Sequence, residues 1–348
     1  MNKIEFENMT DCKKRNLYEC MWDSEAFDFP VKKTEFKKSE SNNSYTFSNA
    51  SSTDMDKCAN RLIELFGIKK HSLFKEKFAQ SCNGSGKELK RIATIHSSSL
   101  CALLFFYNVS KDNPYVIENE GKEYIFTYSC FEYQNTVLNG RNPSNIDVVL
   151  IGKNKQSGED VVLFLESKFS EYYNNVGRKL KIATAYLDDK SYPNDNYGKV
   201  IYNEASLAEM SLEMTELKDG KNFILSSKEA CYLEGIKQMI SHYIGIRNLC
   251  DSPKNKEDNV ARAVSKGAKL LLGEILFTKG IGKLHIKKGI ECFASYKEKY
   301  RILANILNEQ LKKDGMSDKI TVLSDVLSYD KRNIQEPLIK RFYFESGK

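Results

Sequence analysis

The residues of this chain whose types and spacing could do chemistry are Glu166, Ser167 and Lys168, near the end of the hydrophobic run Val161 to Phe169 (VVLFLESKF). Successive side chains of a strand alternate faces, so Glu166 and Lys168 share one face and Ser167 takes the other. A carboxylate and an ammonium at the end of a buried strand are costly unless paired or put to use. Asp147 stands in the preceding apolar segment, Ile146 to Gly152 (IDVVLIG), just after a turn. A hairpin between the two segments can set Asp147 beside Glu166. Two carboxylates converging on one point repel each other and favour a hard divalent cation, Mg²⁺ or Mn²⁺. Such a cation polarises a phosphate and lowers the pKa of a bound water. Lys168 can then stabilise developing charge or orient that water. The plainer alternatives are a solvated strand edge for Glu166 and Lys168, and a cap on the turn Asn142 to Asn145 for Asp147.

These residues need two adjacent strands and flanking helices to hold them. Helical spacing begins near Lys57, with Leu62, Ile63, Leu65 and Phe66, then Leu73, Phe74 and Phe78. Lys87 to Asn108 reads as one helix. Glu123 to Gln134 is aromatic-rich and reads as a strand. With the turn at Leu138 to Asn145 and the loop at Lys153 to Asp160, residues 123–169 form an antiparallel three-stranded meander preceded by a helix. Tyr202 to Leu217 reads as helical. Ser227 to Leu249 reads as a helix capped by Ser226 or Ser227. Lys269 to Phe277 and Lys319 to Leu323 read as strands, and Cys292 to Leu311 as a helix. Residues 1–57 read as an irregular N-terminal extension, with Ser41 to Asp56 a polar loop, and residues 58–348 as a single domain.

Composition narrows the classes. The chain has 348 residues, enough to bury a core, and 53 basic against 47 acidic residues, a bias that permits an anionic partner without demanding one. Nine cysteines, none in a CxxC pair, predict reduced thiols. Four histidines without an HExxH pattern argue against a histidine-rich metal site. Residues 1–22 carry charges throughout, so no secretory segment is expected. The longest apolar run, Leu100 to Tyr107, is far short of the ~20 residues of a membrane helix. A cytoplasmic protein with no membrane association is expected. Gly84-Ser85-Gly86-Lys87 fails as a phosphate loop, because Ser81 and Glu88 stand where Gly and Ser/Thr are required. Ser97 to Ser99 beside His96 lack the turn of a serine hydrolase.

Asp147 on one strand, Glu166-x-Lys168 on the next and a helix upstream resemble the PD-(D/E)XK nuclease superfamily, over residues 88–250. Ile146 stands where that motif has Pro. The resemblance implies an α/β (α+β) restriction-endonuclease-like core, a central mixed β-sheet flanked by helices. It implies Asp147 and Glu166 as ligands of Mg²⁺ (or Mn²⁺) and Lys168 as the catalytic lysine. An upstream acid often completes the site in that superfamily, and Glu88 and Glu132 are the candidates. Glu88 could equally favour a helix N-terminus and Glu132 could be a strand surface residue. Gln238 resembles the Gln of the QxxxY element of RecB-like nucleases, with His242 in the place of the Tyr and Tyr243 one further on. Gln238 and His242 are equally a helical i, i+4 interface pair. The implied activity is hydrolysis of phosphodiester bonds, most readily in DNA, in restriction, defence or repair, with a homodimer possible. Arg178, Lys179 and Lys181 follow the ExK strand and are the expected phosphate contacts. Tyr172, Tyr173 and Tyr186 could stack on bases or cover the core. The alternatives are a non-catalytic nucleic-acid-binding protein of the same fold, and a partner-binding protein whose three polar residues lie far apart.

Overall fold

The computed structural model describes residues 36–38, 45–47, 54–83, 88–94, 97–141, 143–169, 171, 177–195, 197–199, 201–251, 258–278 and 287–344. Strands β1 (Phe36–Lys38) and β2 (Tyr45–Phe47) pair antiparallel, so part of the stretch read as a loop is a strand. Helix α1 (Met55–Phe66) starts at an Asp54 cap, whose carboxylate accepts from the Lys57 N–H, and ends at Gly67 with φ 60°. Helices α2 (His71–Ser81), α3 (Glu88–Arg91) and α4 (Ser98–Phe106) follow. The single helix expected over Lys87 to Asn108 is therefore two. Ser97 is extended and its hydroxyl accepts from the Leu100 N–H at 3.0 Å, which restarts the helix there. The Gly84 to Lys87 segment lies outside the described residues.

The next elements are β3 (Tyr115–Asn119), β4 (Lys122–Asn135), β5 (Ser144–Asn154) and β6 (Asp160–Lys168). After them come β7 (Gly177–Ala183), α5 (Glu204–Glu209), β8 (Leu212–Glu216) and β9 (Asn222–Cys231). The chain continues through α6 (Leu233–Asp251), α7 (Asn259–Ser265), β10 (Lys269–Leu276) and α8 (Lys287–Lys313). It closes with β11 (Ile320–Val322), β12 (Leu327–Ser328) and α9 (Pro337–Phe344). The main sheet runs β11-β10-β6-β5-β4-β3, with β12 also on β10. Neighbours from β3 to β6 are antiparallel, whereas β10 is parallel to β6 and to β11. This is a mixed α/β architecture with a central mixed sheet flanked by helices, compatible with a restriction-endonuclease-like fold. The expected meander is present, extended by β3, which the sequence reading left out.

Two expectations are corrected in the second, three-stranded sheet, ordered β7-β9-β8. Only Glu204–Glu209 of the stretch Tyr202 to Leu217 is helical, and Leu212–Glu216 is a strand. Ser226 and Ser227 cap nothing: they lie inside β9, facing Glu213 and Leu212 of β8. Phe223, Leu225 and Ser227 are buried while Ile224 and Ser226 between them are less so, the period of two of a strand and not of a helix.

Alternation along the central strands assigns the two faces. Val161, Leu163 and Leu165 pack with Val148 and Leu150 against the side that holds α1, α2, α4 and α9. Val162 and Phe164 pack with Val149 against α6 and α8. Each such side chain contributes ~1.5–3 kcal/mol when fully buried, so the phase of these strands is strongly held. The same phase sends Ser167 to the first face, where its hydroxyl meets the Tyr329 hydroxyl at 2.6 Å and donates to the Ser98 carbonyl at 3.3 Å. Glu166 and Lys168 are left on the face of α6. No helix among the described residues is long and apolar enough to cross a membrane.

Candidate active site

Strand register lines up four carboxylates. Val148 faces Leu165, so the next step along β5 and β6 sets Asp147 opposite Glu166. Phe131 faces Val148 and Tyr133 faces Ile146, which brackets Glu132 opposite Asp147. Glu166 faces Glu274 across the parallel β6–β10 pair. Glu132, Asp147, Glu166 and Glu274 thus form one row across β4, β5, β6 and β10. The row depends on a one-residue slip between Phe126 and Tyr128 of β4. Continued without that slip, the Phe126–Gly152 register would put Phe131, not Glu132, opposite Asp147. Gly152 suits this place, since a Cβ there would lie 2.0 Å from the Ile125 carbonyl oxygen.

The ion pair of Lys168 with one oxygen of Glu166 is almost wholly out of solvent, the two residues being 5% and 2% exposed. The other oxygen, Oε2, lies 2.7 Å from His242 Nε2. Burial alone would raise the Glu166 carboxyl, but Lys168 and His242 overcome it and hold it at about 2. Burial likewise opposes the charge on Lys168, and Glu166 outweighs it, holding the ammonium well above the usual lysine range. Asp147 is in the opposite situation. Burial and the Glu166 charge push its carboxyl well above the usual range, although Lys168 and the Ser167 N–H, 2.7 Å from Oδ2, work against them. Of the two carboxylates beside Lys168, Asp147 is the one that lacks a full counter-charge.

Asp147, Glu166 and Lys168 line a cleft of about 490 Å³ together with Glu132 and Gln238. The reading that scatters the three polar residues does not describe this structure. Glu132 has φ 51°, a left-handed conformation that costs a non-glycine residue about 1–3 kcal/mol. The buried Oε1 of Gln238 has no hydrogen-bond partner among the described residues. Arg91 and Lys237 add positive charge to the lining, with Lys237 3.2 Å from Glu234. Tyr186 also reaches the cleft, its hydroxyl 2.9 Å from that of Ser241. Tyr243 does not: it is buried in the core, where its hydroxyl accepts from Arg247 at 3.4 Å. Lys179 and Lys181 lie on β7 and are absent from the cleft lining, and Lys181 is 3.8 Å from Asp219. Helix α3 opens at Glu88, but the side chains of Glu88 and Arg178, with Tyr172 and Tyr173, lie outside what the structure describes.

Among the described residues, no three His, Cys, Asp or Glu side chains group as a ready-made metal cage. The donor set suits a different kind of site. Asp147 and Glu132 face the cleft, and each Glu166 oxygen keeps a second acceptor direction besides its bond to Lys168 or His242. One or two carboxylates with water in the remaining positions match Mg²⁺, which dehydrates reluctantly, better than a closed zinc cage. The uncompensated Asp147 carboxylate is the group such a cation would neutralise.

Sequence reasoning missed two residues here, His242 as a contact of Glu166 and Glu274. Glu274 was hidden inside an apolar strand, and a lone carboxylate in KLLLGEIL was the available signal. It is fully buried and accepts from the Tyr296 hydroxyl, and burial raises its carboxyl to about 8. The folded protein therefore holds a proton at neutral pH that an unfolded chain, titrating at 4.5, releases. Stability from this group is complete at acid pH and falls as pH rises from about 4.5 to about 8, by at most about 1.4 kcal/mol per unit. Glu274→Gln is expected to show a shallower loss across that window in urea titrations at pH 5 to 9. Equal slopes for the two proteins would refute it.

A sequence model of the family described as Restriction Endonuclease associating with ARP matches residues 32–260, a stretch holding Glu132, Asp147, Glu166, Lys168 and Gln238. Comparisons with curated proteins and with solved structures return no match.

Proposed function

We propose that this chain, which belongs to the family of restriction endonucleases described as associating with ARP, hydrolyses phosphodiester bonds of DNA with the aid of Mg²⁺ or Mn²⁺. The observation that carries this reading is the convergence of Asp147, Glu166 and Lys168 in one cleft, with the Asp147 carboxyl short of a counter-charge. Asp147 and Glu166 would hold the cation, and Glu132, across from Asp147, would complete the site. When bound, the cation supplies a polarised phosphate and a water of lowered pKa.

The remaining work belongs to side chains of this protein. Lys168 keeps its proton because Glu166 holds it, so it acts as a fixed positive charge and not as a base. Placed almost out of solvent at the floor of the cleft, such a charge would stabilise the phosphate oxygen that gains charge in the transition state. Arg91 and Lys237 would contact flanking phosphates and orient the backbone without reading bases. Gln238 offers a buried amide oxygen to a water or a sugar hydroxyl.

The test is cleavage of supercoiled plasmid at low salt by the wild type and by Glu166→Gln, each with Mg²⁺, with Mn²⁺ and with chelator. Nicked or linear product only from wild type with cation is the expected result. Product that survives in Glu166→Gln, or in chelator, would place the chemistry elsewhere. DNA retention without product from any sample would replace hydrolysis with binding.

A further inference from the structure

We infer that His242 is a positioning residue for Glu166, an inference that rests on the nuclease reading above. His242 sits in the middle of α6 with its side chain 2% exposed. Both ring nitrogens are engaged: Nε2 lies 2.7 Å from Glu166 Oε2 and Nδ1 lies 2.7 Å from Ser144 Oγ. An ionised carboxylate only accepts, so the Nε2–H donates to Glu166, while Nδ1 shares its hydrogen bond with the Ser144 hydroxyl. Ser144 is the first residue of β5, three positions before Asp147. The ring therefore connects the strand of one cleft carboxylate with the side chain of the other.

The contact matters because of what holds Glu166 otherwise. The terminal torsion of a glutamate is broad and roughly two-fold. Lys168 fixes one oxygen, and His242 is the second point that fixes the plane of the carboxylate. Without it, Glu166 is free to turn both oxygens toward Lys168 and away from Asp147. His242 would thus keep Glu166 directed at the cleft and keep Lys168 from being drawn into a two-oxygen pair. Nothing in this role needs the histidine to touch DNA or to change its charge.

The experiment compares wild type, His242→Ala, His242→Gln and Ser144→Ala. Cleavage of a short duplex is measured as kcat and KM, Mn²⁺ binding to the DNA-free protein by calorimetry, and folding by thermal melting. His242→Ala is expected to lower kcat and weaken Mn²⁺ binding about 10–100-fold, the usual effect of losing a group that orients a ligand. KM for DNA should stay within about threefold, because uniform substrate binding is untouched. The amide of His242→Gln can donate to Glu166 again and should restore most of both losses. Ser144→Ala, which frees only the far nitrogen, should show a smaller loss of the same kind. A folded His242→Ala that cleaves and binds Mn²⁺ like wild type overturns the inference, as does His242→Gln no better than a folded His242→Ala. If His242→Ala does not fold, His242→Gln and Ser144→Ala decide: near-wild-type kcat in the first with a loss in the second supports the role, and no loss in Ser144→Ala overturns it. A wild type that neither cleaves nor binds Mn²⁺ fails earlier, and refutes the nuclease reading itself.

Discussion

Lys168→Met is expected to lower single-turnover cleavage about 10²–10³-fold or more, the loss that follows removal of one preorganised donor at a developing oxyanion. DNA affinity should change little, since Lys168 is buried beneath the cleft and the rim charges Arg91 and Lys237 remain. The same change should destabilise the protein. Glu166 is 2% exposed and would keep only His242 as its donor. Removing one partner of a buried ion pair costs about 3–5 kcal/mol, because the other charge is left uncompensated. The pH dependence has a definite sign. Glu166 titrates at about 2 when folded against 4.5 unfolded, so its pair contributes stability above 4.5 that is lost as pH falls toward 2. In Lys168→Met much of that contribution should be gone, leaving a variant less stable at pH 7 and less sensitive to acid. The double variant Glu166→Gln with Lys168→Met separates the two roles: stability should recover and cleavage should not. Cleavage by Lys168→Met at the wild-type rate would remove the lysine from the chemistry.

Much of this arrangement was legible in the residues because it follows from a period of two. Once Ile146 to Gly152 and Val161 to Phe169 are read as neighbouring strands, alternation puts Glu166 and Lys168 on one face and Ser167 on the other. The observed strands end within a few residues of those bounds. What was not legible depends on non-local pairing. Ser226 and Ser227 have the chemistry of helix caps, yet pairing with β8 claims them for a strand. The β8 strand is itself read as helical when its partner is unknown. Asp147, Glu166 and Glu132 were legible as candidates, but their alignment in one row with Glu274 was not, since Glu274 joins through a parallel pair about a hundred positions away in sequence and Glu132 through a slip in β4. His242 looked like a departure from a Tyr at that helical position, and only the approach of α6 to β5 and β6 turns it into a contact of Glu166. Local pattern thus revealed the pair of strands, and tertiary packing decided which other side chains reach it.

Asp147→Asn is expected to abolish cleavage at least as completely as Lys168→Met, with the opposite effect on stability. The wild-type carboxyl is raised well above its ordinary value of 3.8 by burial and by Glu166. A group of that kind binds its proton more tightly in the folded state, so stability is greatest below the ordinary value and falls as pH rises toward the folded one. Asparagine carries no charge at any pH, and its side-chain oxygen can still accept from the Ser167 N–H. Removal of the unfavourable charge should stabilise the cation-free protein at pH 7 by about 1–3 kcal/mol, the usual range for a poorly compensated buried polar group. At this size that is a rise of several degrees in melting temperature. Divalent cation should close the gap from the other side, because a ligand of the folded state alone raises the wild-type melting temperature with concentration and has less to bind in the variant. An ordinary solvated strand edge predicts neither effect, since exposed charges there are worth about 0–1 kcal/mol in either direction. An Asp147→Asn protein that melts below wild type without cation would show that the charged carboxylate is already well compensated. The argument that this position is poised for a cation would then fail, whatever happens to cleavage.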